Sequence, residues 1–272
     1  MQERHLDRLQ YFEEQAYTSE KYIIPFINNG LLAKNGMSVL EIGCGEGGNL
    51  KPFLNAGYKK VVGVDISAGK IENADKFFQN NPRKQNIKFI CSDIYEVDDI
   101  GKFDLIIMRD LLEHIHDQNK FIQHLKKFLK PAGKVFLGFP PWHNPFGGHQ
   151  QMCKSKILSK TPYFHILPVP VYKLILKIFG ESDSKIQGLL EIKSTRITIE
   201  RFEKILKKRN YKIDKRLFYL INPNYEIKFK LQPRKQSKLI SSIPYIRNFF
   251  ITTNYYLISL NTAMPNIDTN TK

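Results

Sequence analysis

Short apolar runs recur along the first 140 residues with amphipathic stretches between them. The run 39–50 reads as a buried strand, a glycine-rich turn and the start of a helix that continues through 52–55. Residues 60–67, a β-branched run ending in a carboxylate, predict a second strand, and residues 68–79 a helix. Residues 87–93 and 103–109 predict strands three and four. Phe121, Leu125, Phe128 and Leu129 fall at helical spacing opposite Lys126, Lys127 and Lys130, with a stop at Pro131-Ala132-Gly133, before a fifth strand at 134–139. From 140 to about 196 the rhythm is lost: 139–150 is rich in proline, glycine and aromatics, and 157–180 is apolar but broken by Pro162, Pro168 and Pro170. A helix capped by Thr198, with Arg201 at its third position, and strands at 211–220 and 252–260 restore it. The basic stretch 228–247 receives no element, and the last ten or so residues read as frayed. Ahead of the first strand, residues 6–29 form a mixed amphipathic helix carrying Tyr11, Tyr17 and Tyr22, ending near Asn28-Asn29-Gly30; it is either packed on the sheet edge or a lid.

Strand and helix alternating five times over short connections make a doubly wound α/β sheet the economical topology. The resulting organisation is an N-terminal helical cap (1–35), a Rossmann-like core (36–140), an inserted lid after strand five (141–196), a helix and closing strands of the core (197–262) and a tail (263–272).

Charge changes the picture in the second half. The chain carries a net +16, with 19 Lys and Arg against 18 Asp and Glu in residues 1–150 and 23 against 8 in residues 151–272. A half so basic faces an anionic substrate, a membrane surface or nucleic acid, or is a lysine-rich solvated surface. Cys44, Cys91 and Cys153 are too few and scattered for a disulfide framework or zinc site, which fits a reducing cytosol. The charged N-terminus lacks an apolar segment of a secretory signal, and no run of about 18 apolar residues offers a membrane span.

The glycine turn satisfies two templates. Gly43, Gly45 and Gly48 match the dinucleotide fingerprint, while Glu41, Gly43, Gly45 and Gly47 match an acidic residue followed by alternating glycines. Acidic residues closing strands two (Asp65) and three (Asp93), and the Pro131-Ala132-Gly133 turn before strand five, decide between them. With Val64-Asp65-Ile66-Ser67, Ser92-Asp93-Ile94, Phe103-Asp104-Leu105-Ile106 and Leu112-Glu113-His114-Ile115, the chain resembles class I S-adenosylmethionine-dependent methyltransferases across roughly 36–140, with Ala132 where the family's turn has glycine. The resemblance implies a seven-stranded, mostly parallel sheet with an antiparallel C-terminal strand, and S-adenosylmethionine as cofactor.

It also implies roles. Glu41 receives a hydrogen bond from the cofactor's amino group; the turn Gly43, Cys44, Gly45 and Gly47 leaves room for its methionine and ribose; Asp65 accepts from both ribose hydroxyls; Asp93 accepts from the adenine amino group between apolar walls Ile66 and Ile94; and Arg109 offers its carbonyl near the sulfonium. Transfer to a hydroxyl requires a base, for which His114, His143 and His149 are the candidates, with Asp110 and His116 behind them. In the family His114 more often organises the cofactor end. Three histidines could hold a metal, but no carboxylate spacing supports one, so none is expected. The apolar insert suggests a lid over a greasy or aromatic acceptor, a small extra core, or an interfacial helix with Lys173 and Lys177 snorkelling. The expected protein is a cytoplasmic O-methyltransferase of a small or lipid-linked acceptor, with an anionic acceptor and a peripheral membrane contact as further expectations. An RNA or protein methyltransferase is the first competitor; against it stand the lack of an RNA-binding module and, after strand four, Arg109-Asp110-Leu111-Leu112 in place of an Asn/Asp-Pro-Pro-aromatic motif. A nicotinamide-dependent oxidoreductase and a non-catalytic scaffold are the others.

Overall fold

The structure, a computed structural model, describes residues 7–28 and 36–261. Its sheet is built from β1 (Ser38–Ile42), β2 (Lys60–Asp65), β3 (Ile87–Cys91), β4 (Phe103–Arg109), β5 (Leu129–Phe139), β6 (Tyr211–Ile221), β7 (Arg234–Lys235) and β8 (Thr253–Leu260), in the order β3-β2-β1-β4-β5-β8-β6-β7. The first five strands are parallel, and β8 runs antiparallel between β5 and β6. The α/β expectation holds with one strand more than the seven predicted: β7, two residues on the edge of β6, arises in the basic stretch, where no apolar alternation marked it.

Helices α1 (Arg8–Thr18), α2 (Ile24–Asn28), α3 (Leu50–Asn55) and α4 (Ala68–Phe78) cover one face, where Phe12, Phe26, Phe53 and Phe78 bury against Val39, Val61, Leu105 and Ile107. Helices α5 (Gln118–His124) and α8 (Ile199–Lys208) cover the other, where Phe121, Phe202 and Leu206 meet Leu40, Val62, Ile106 and Val135. Neighbouring strand residues therefore serve opposite cores, which explains why the central strands read as continuous apolar runs. A π-helical turn, Ser19–Ile23, joins α1 to α2. The expected stop of this N-terminal helix and the tail fall largely outside the described residues.

Two boundaries depart from the sequence pattern. The fifth strand begins at Leu129, not 134: Leu129 pairs with Phe103 and Lys134 with Leu105, so residues 130–133 bulge out of the ladder. Pro131 has no N–H to give a ladder, and the bulge accommodates it. The segment 140–196 is also more regular than its broken rhythm implied. It holds α6 (Val169–Ile178) and α7 (Asp183–Thr195). Pro168 and Pro170 start α6 instead of interrupting it, as prolines in a first turn can, and Ser182 caps α7 by accepting from Lys185 N. Cys153, Leu158, Phe164, Tyr172, Leu176, Ile186 and Leu189 form a small core of their own beneath these helices. Two short helices, α9 (Asn224–Phe229) and α10 (Lys238–Ser242), complete the chain. No helix among the described residues is long and apolar enough to cross a membrane.

Candidate active site

The carboxyl ends of β1, β2, β4 and β5 converge where a parallel sheet presents its ligand crevice. After β1 the chain turns sharply: Gly43 (φ +73°) and Gly47 (φ +78°) take left-handed backbone, and a Cβ on Gly47 would lie 2.7 Å from the Phe89 ring. Gly43 N and Cys44 N both donate to Val64 O, pinning the turn to β2, and the Cys44 side chain is buried beneath it. Asp65 braces the same turn, accepting from Gly45 N through Oδ2 and from Ser67 N through Oδ1, each at 2.9 Å. Every carboxylate oxygen has a second lone pair, so these bonds leave acceptor capacity toward the crevice.

Glu41 is buried, and its Oε1 accepts from Asn49 Nδ2 at 2.7 Å while its Oε2 has no partner. Burial pushes its pKa up to about 8, against the opposing pull of Asn49 and Arg109. A buried acceptor left open beside a glycine turn fits a ligand donor. Ile66, 77% exposed, stands next to Asp65 as an available apolar wall. Asp93 is exposed and accepts from Tyr95 N. Ile94, expected as the opposite wall, is buried in the core shared with α5.

The side chain of Arg109, to which the sequence assigned no role, is engaged within the protein. It donates to Asn49 Oδ1 at 2.8 Å and to Asn224 Oδ1. Asn49 in turn accepts from Ser19 Oγ, so one network joins Glu41, the N-terminal helix and α9. That helix is both packing element and cover: Phe12 and Phe26 sit in the core, Arg8 pairs with Glu46 of the glycine turn, and Tyr17, Lys21 and Tyr22 all bond the Glu226 carboxylate of α9. Between them lies a cavity of about 340 Å³ lined by Tyr11, Arg109, Glu113, His114, His149 and Tyr225, among others.

The loop after β5 is a folded knot that aims His149 into this cavity. Trp142 N bonds Ile197 O, Asn144 Oδ1 accepts from Phe146 N, and His149 N bonds Phe146 O. His149 itself has left-handed backbone (φ +56°). Gln150 Nε2 donates to Pro145 O and to His165 Nδ1, and His165, fully buried, uses its Nε2 on Trp142 O at 2.9 Å. Those partners assign His165 as the neutral Nε2–H tautomer, a structural prop.

His149 Nε2 lies 4.0 Å from Glu113 Oε1, and its ring centre 5.2 Å from that of His114. Both Glu113 carboxyl oxygens are buried without a partner, while the Glu113 carbonyl is tied to α7 by Thr195 Oγ1 at 2.6 Å. Burial drives His149 down to about 4, helped by His114, and lowers His114 as well; burial and neighbouring Asp110 hold the Glu113 carboxyl well above its ordinary value. Ligand atoms of Glu113, His114 and His149 lie within 4.8 Å of one another, so the carboxylate that sequence spacing did not supply for a metal is present in space. In the sequence Glu113 is only a neighbour of His114; nothing in its spacing marks it as the acid of the group.

Two other candidates are separated from this cluster. His143 stacks on Phe249 with centres 5.0 Å apart and lines a different cavity, with Trp142 and Arg196; the knot that turns His149 inward turns His143 away. His116 contacts Ser194 of α7. Asn49, Tyr11 and Asn224 were not singled out by sequence; only Tyr11 carried a signal, as one of three tyrosines along an amphipathic helix.

The comparisons with known proteins agree with this geometry. Ubiquinone biosynthesis O-methyltransferase of Bradyrhizobium sp. (strain ORS 278) is 34% identical over 103 residues, covering 38% of this chain and 40% of that protein. The protein of the same name from Coxiella burnetii (strain RSA 493 / Nine Mile phase I) is 33% identical over 133 residues, 48% of each chain. The match thus spans less than half the length of these curated relatives. Among solved structures, magnesium protoporphyrin IX methyltransferase from Synechocystis PCC 6803 with bound SAH superposes with a TM-score of 0.53 at 17% identity, covering 92% of this chain and 86% of that one. An S-adenosylmethionine-dependent methyltransferase from Clostridium acetobutylicum ATCC 824 gives 0.53 at 15% identity, covering 92% of each. The model of the methyltransferase domain matches residues 13–153, more than half of the 272 residues, and the chain belongs to that family.

Proposed function

We propose that this methyltransferase takes its methyl group from S-adenosylmethionine and delivers it to an oxygen of a small or lipid-linked acceptor. The residues fit the cofactor: Glu41 Oε2 is an unused buried acceptor, Asp65 retains lone pairs at the strand end, the glycine turn lies open at Gly45, and Ile66 offers an apolar surface. Bound there, the cofactor supplies an electrophilic methyl group on a sulfonium. The chain's own tasks are alignment, exclusion of water and acceptance of a proton. Helix α1 and α9, joined by the Tyr17 hydroxyl on Glu226, shield the cavity, and the Arg109 network holds α9 to the turn. His149, held neutral by its poorly hydrated surroundings, can accept the hydroxyl proton, and the imidazolium so formed favours the ionised form of the Glu113 carboxyl 4.0 Å away.

The single observation that carries this reading is the partnerless buried Glu113 carboxyl facing His149 and His114 in the cavity next to the turn. The relatives' names as O-methyltransferases support oxygen as the acceptor atom. The same cluster favours a second reading, in which a divalent cation on Glu113, His114 and His149 binds the acceptor oxygen and lowers its pKa. Chelation followed by addition of Mg²⁺ or Mn²⁺ separates the two: turnover lost and restored supports the cation, and turnover indifferent to chelator supports the histidine base.

Titration with S-adenosylhomocysteine and, in parallel, NADH tests the donor. Binding of S-adenosylhomocysteine, weakened in Asp65→Ala by about 1–3 kcal/mol for the lost charge-assisted bonds, supports the proposal. NADH binding with no S-adenosylhomocysteine binding would sink it in favour of an oxidoreductase. A peripheral membrane contact is part of the same proposal, because α6 exposes Val171, Leu174 and Ile178 beside Lys173 and Lys177.

A further inference from the structure

Beside the reaction cavity lies a larger one, about 630 Å³, between residues 151–160 and 225–231. The two share Gln151, Tyr225 and Phe229 as common walls. Its remaining surface combines two opposites. Phe146, Cys153 and Leu231 make an apolar floor, and Lys154, Lys156 and Lys160 stand around it. Among the described residues none of these three ammonium groups has an acidic partner. The nearest acid in sequence, Glu181, accepts from Lys154 N and Ser155 N and forms no ion pair with these ammonium groups. The composition enforces this isolation: from residue 118 to 180, and again from 227 to 231, there is no Asp or Glu.

Three cations without ion pairs repel one another, and an ordinary solvated surface relieves that with interspersed acids. Here the cations surround an apolar concavity that continues into the site of reaction. A neutral apolar ligand would leave the lysines idle, and a bare anion would leave the floor idle. We propose that this cavity is a second acceptor subsite that takes an anionic group, phosphate or carboxylate, carried on an apolar body whose hydroxyl end reaches His149 past Gln151 and Tyr225. The assignment rests on the methyltransferase reading for the identity of the reacting end. The lysine-rimmed subsite itself is testable without turnover.

The probe is monomeric decyl phosphate, titrated into the full chain by calorimetry against neutral decyl maltoside, inorganic phosphate and phosphatidylglycerol vesicles. Decyl phosphate should bind at least roughly tenfold more tightly than either decyl maltoside or inorganic phosphate, with an affinity that falls as salt is raised. The triple variant Lys154→Gln, Lys156→Gln, Lys160→Gln should lose roughly tenfold or more of that affinity while its thermal midpoint and S-adenosylhomocysteine affinity stay unchanged. Equal binding of the maltoside, equal binding of inorganic phosphate, binding only to vesicles, or an unaffected triple variant would each overturn the subsite. Loss of S-adenosylhomocysteine binding with decyl phosphate binding intact would instead refute the donor and leave the subsite standing.

Discussion

Burial sets the protonation of the groups that matter here. Glu41, with a pKa of about 8 in the cofactor-free chain, holds a proton at neutral pH, and a hydrogen-bond donor placed on its free oxygen favours the charged form. S-adenosylhomocysteine binding near pH 7 should therefore release a proton, so its calorimetric heat should vary with the ionisation enthalpy of the buffer, and Glu41→Gln should remove that variation. Heats independent of buffer in the parent chain would contradict the assignment. His149 is depressed, to about 4, so it stays neutral as pH falls to about 5. The acid limb of kcat/KM should lie near pH 4 instead of the 6.5 of an unperturbed imidazole; a limb centred at 6.5 would show that His149 is not the group titrating. At this scale the sequence revealed positions better than roles. Glu41 and Asp65 stood out because strand ends and glycines sit next to them. Glu113 did not, because its importance comes from His149, 36 residues away, folding back onto it.

Elements differ in how far sequence pattern reaches. The central strands β1, β2 and β4 were legible because both faces of the sheet are covered there and most of their residues are buried, whereas the start of β5 was hidden by a bulge around Pro131 that looks locally like a helix stop. Helix α7 was missed because Gly188 and the polar Ser184 and Lys185 dilute its apolar positions Ile186, Leu189 and Ile192. In α6 the two faces have different fates. Leu176 is fully buried in the small core, and Leu176→Ala should cost about 2–5 kcal/mol in that unit's stability, read by denaturant unfolding. Leu174 and Ile178 are 58% and 71% exposed, so replacing both with serine should change stability by no more than about 1 kcal/mol. The same double change should reduce sedimentation with anionic vesicles. Unchanged vesicle binding would remove α6 from the membrane contact.

At the scale of the molecule, the glycine turn and α9 are joined by the partly buried side chain of Arg109, which spans from Asn49 to Asn224, while the positive charge concentrates in the second half of the chain. The core could be read from sequence because its motifs are local in the chain; the cavity could not, because its walls come from residues 11–18, 109–114, 140, 149–152 and 222–229 brought together only by folding. The most direct test of the whole account follows a methyl-labelled cofactor into cell extract by mass spectrometry, with the parent chain, Glu113→Gln and His149→Gln side by side. Label should appear on an oxygen of an amphiphilic product, reduced at least roughly a hundredfold in both variants while their S-adenosylhomocysteine affinity is retained. Label transferred equally by all three chains would contradict it.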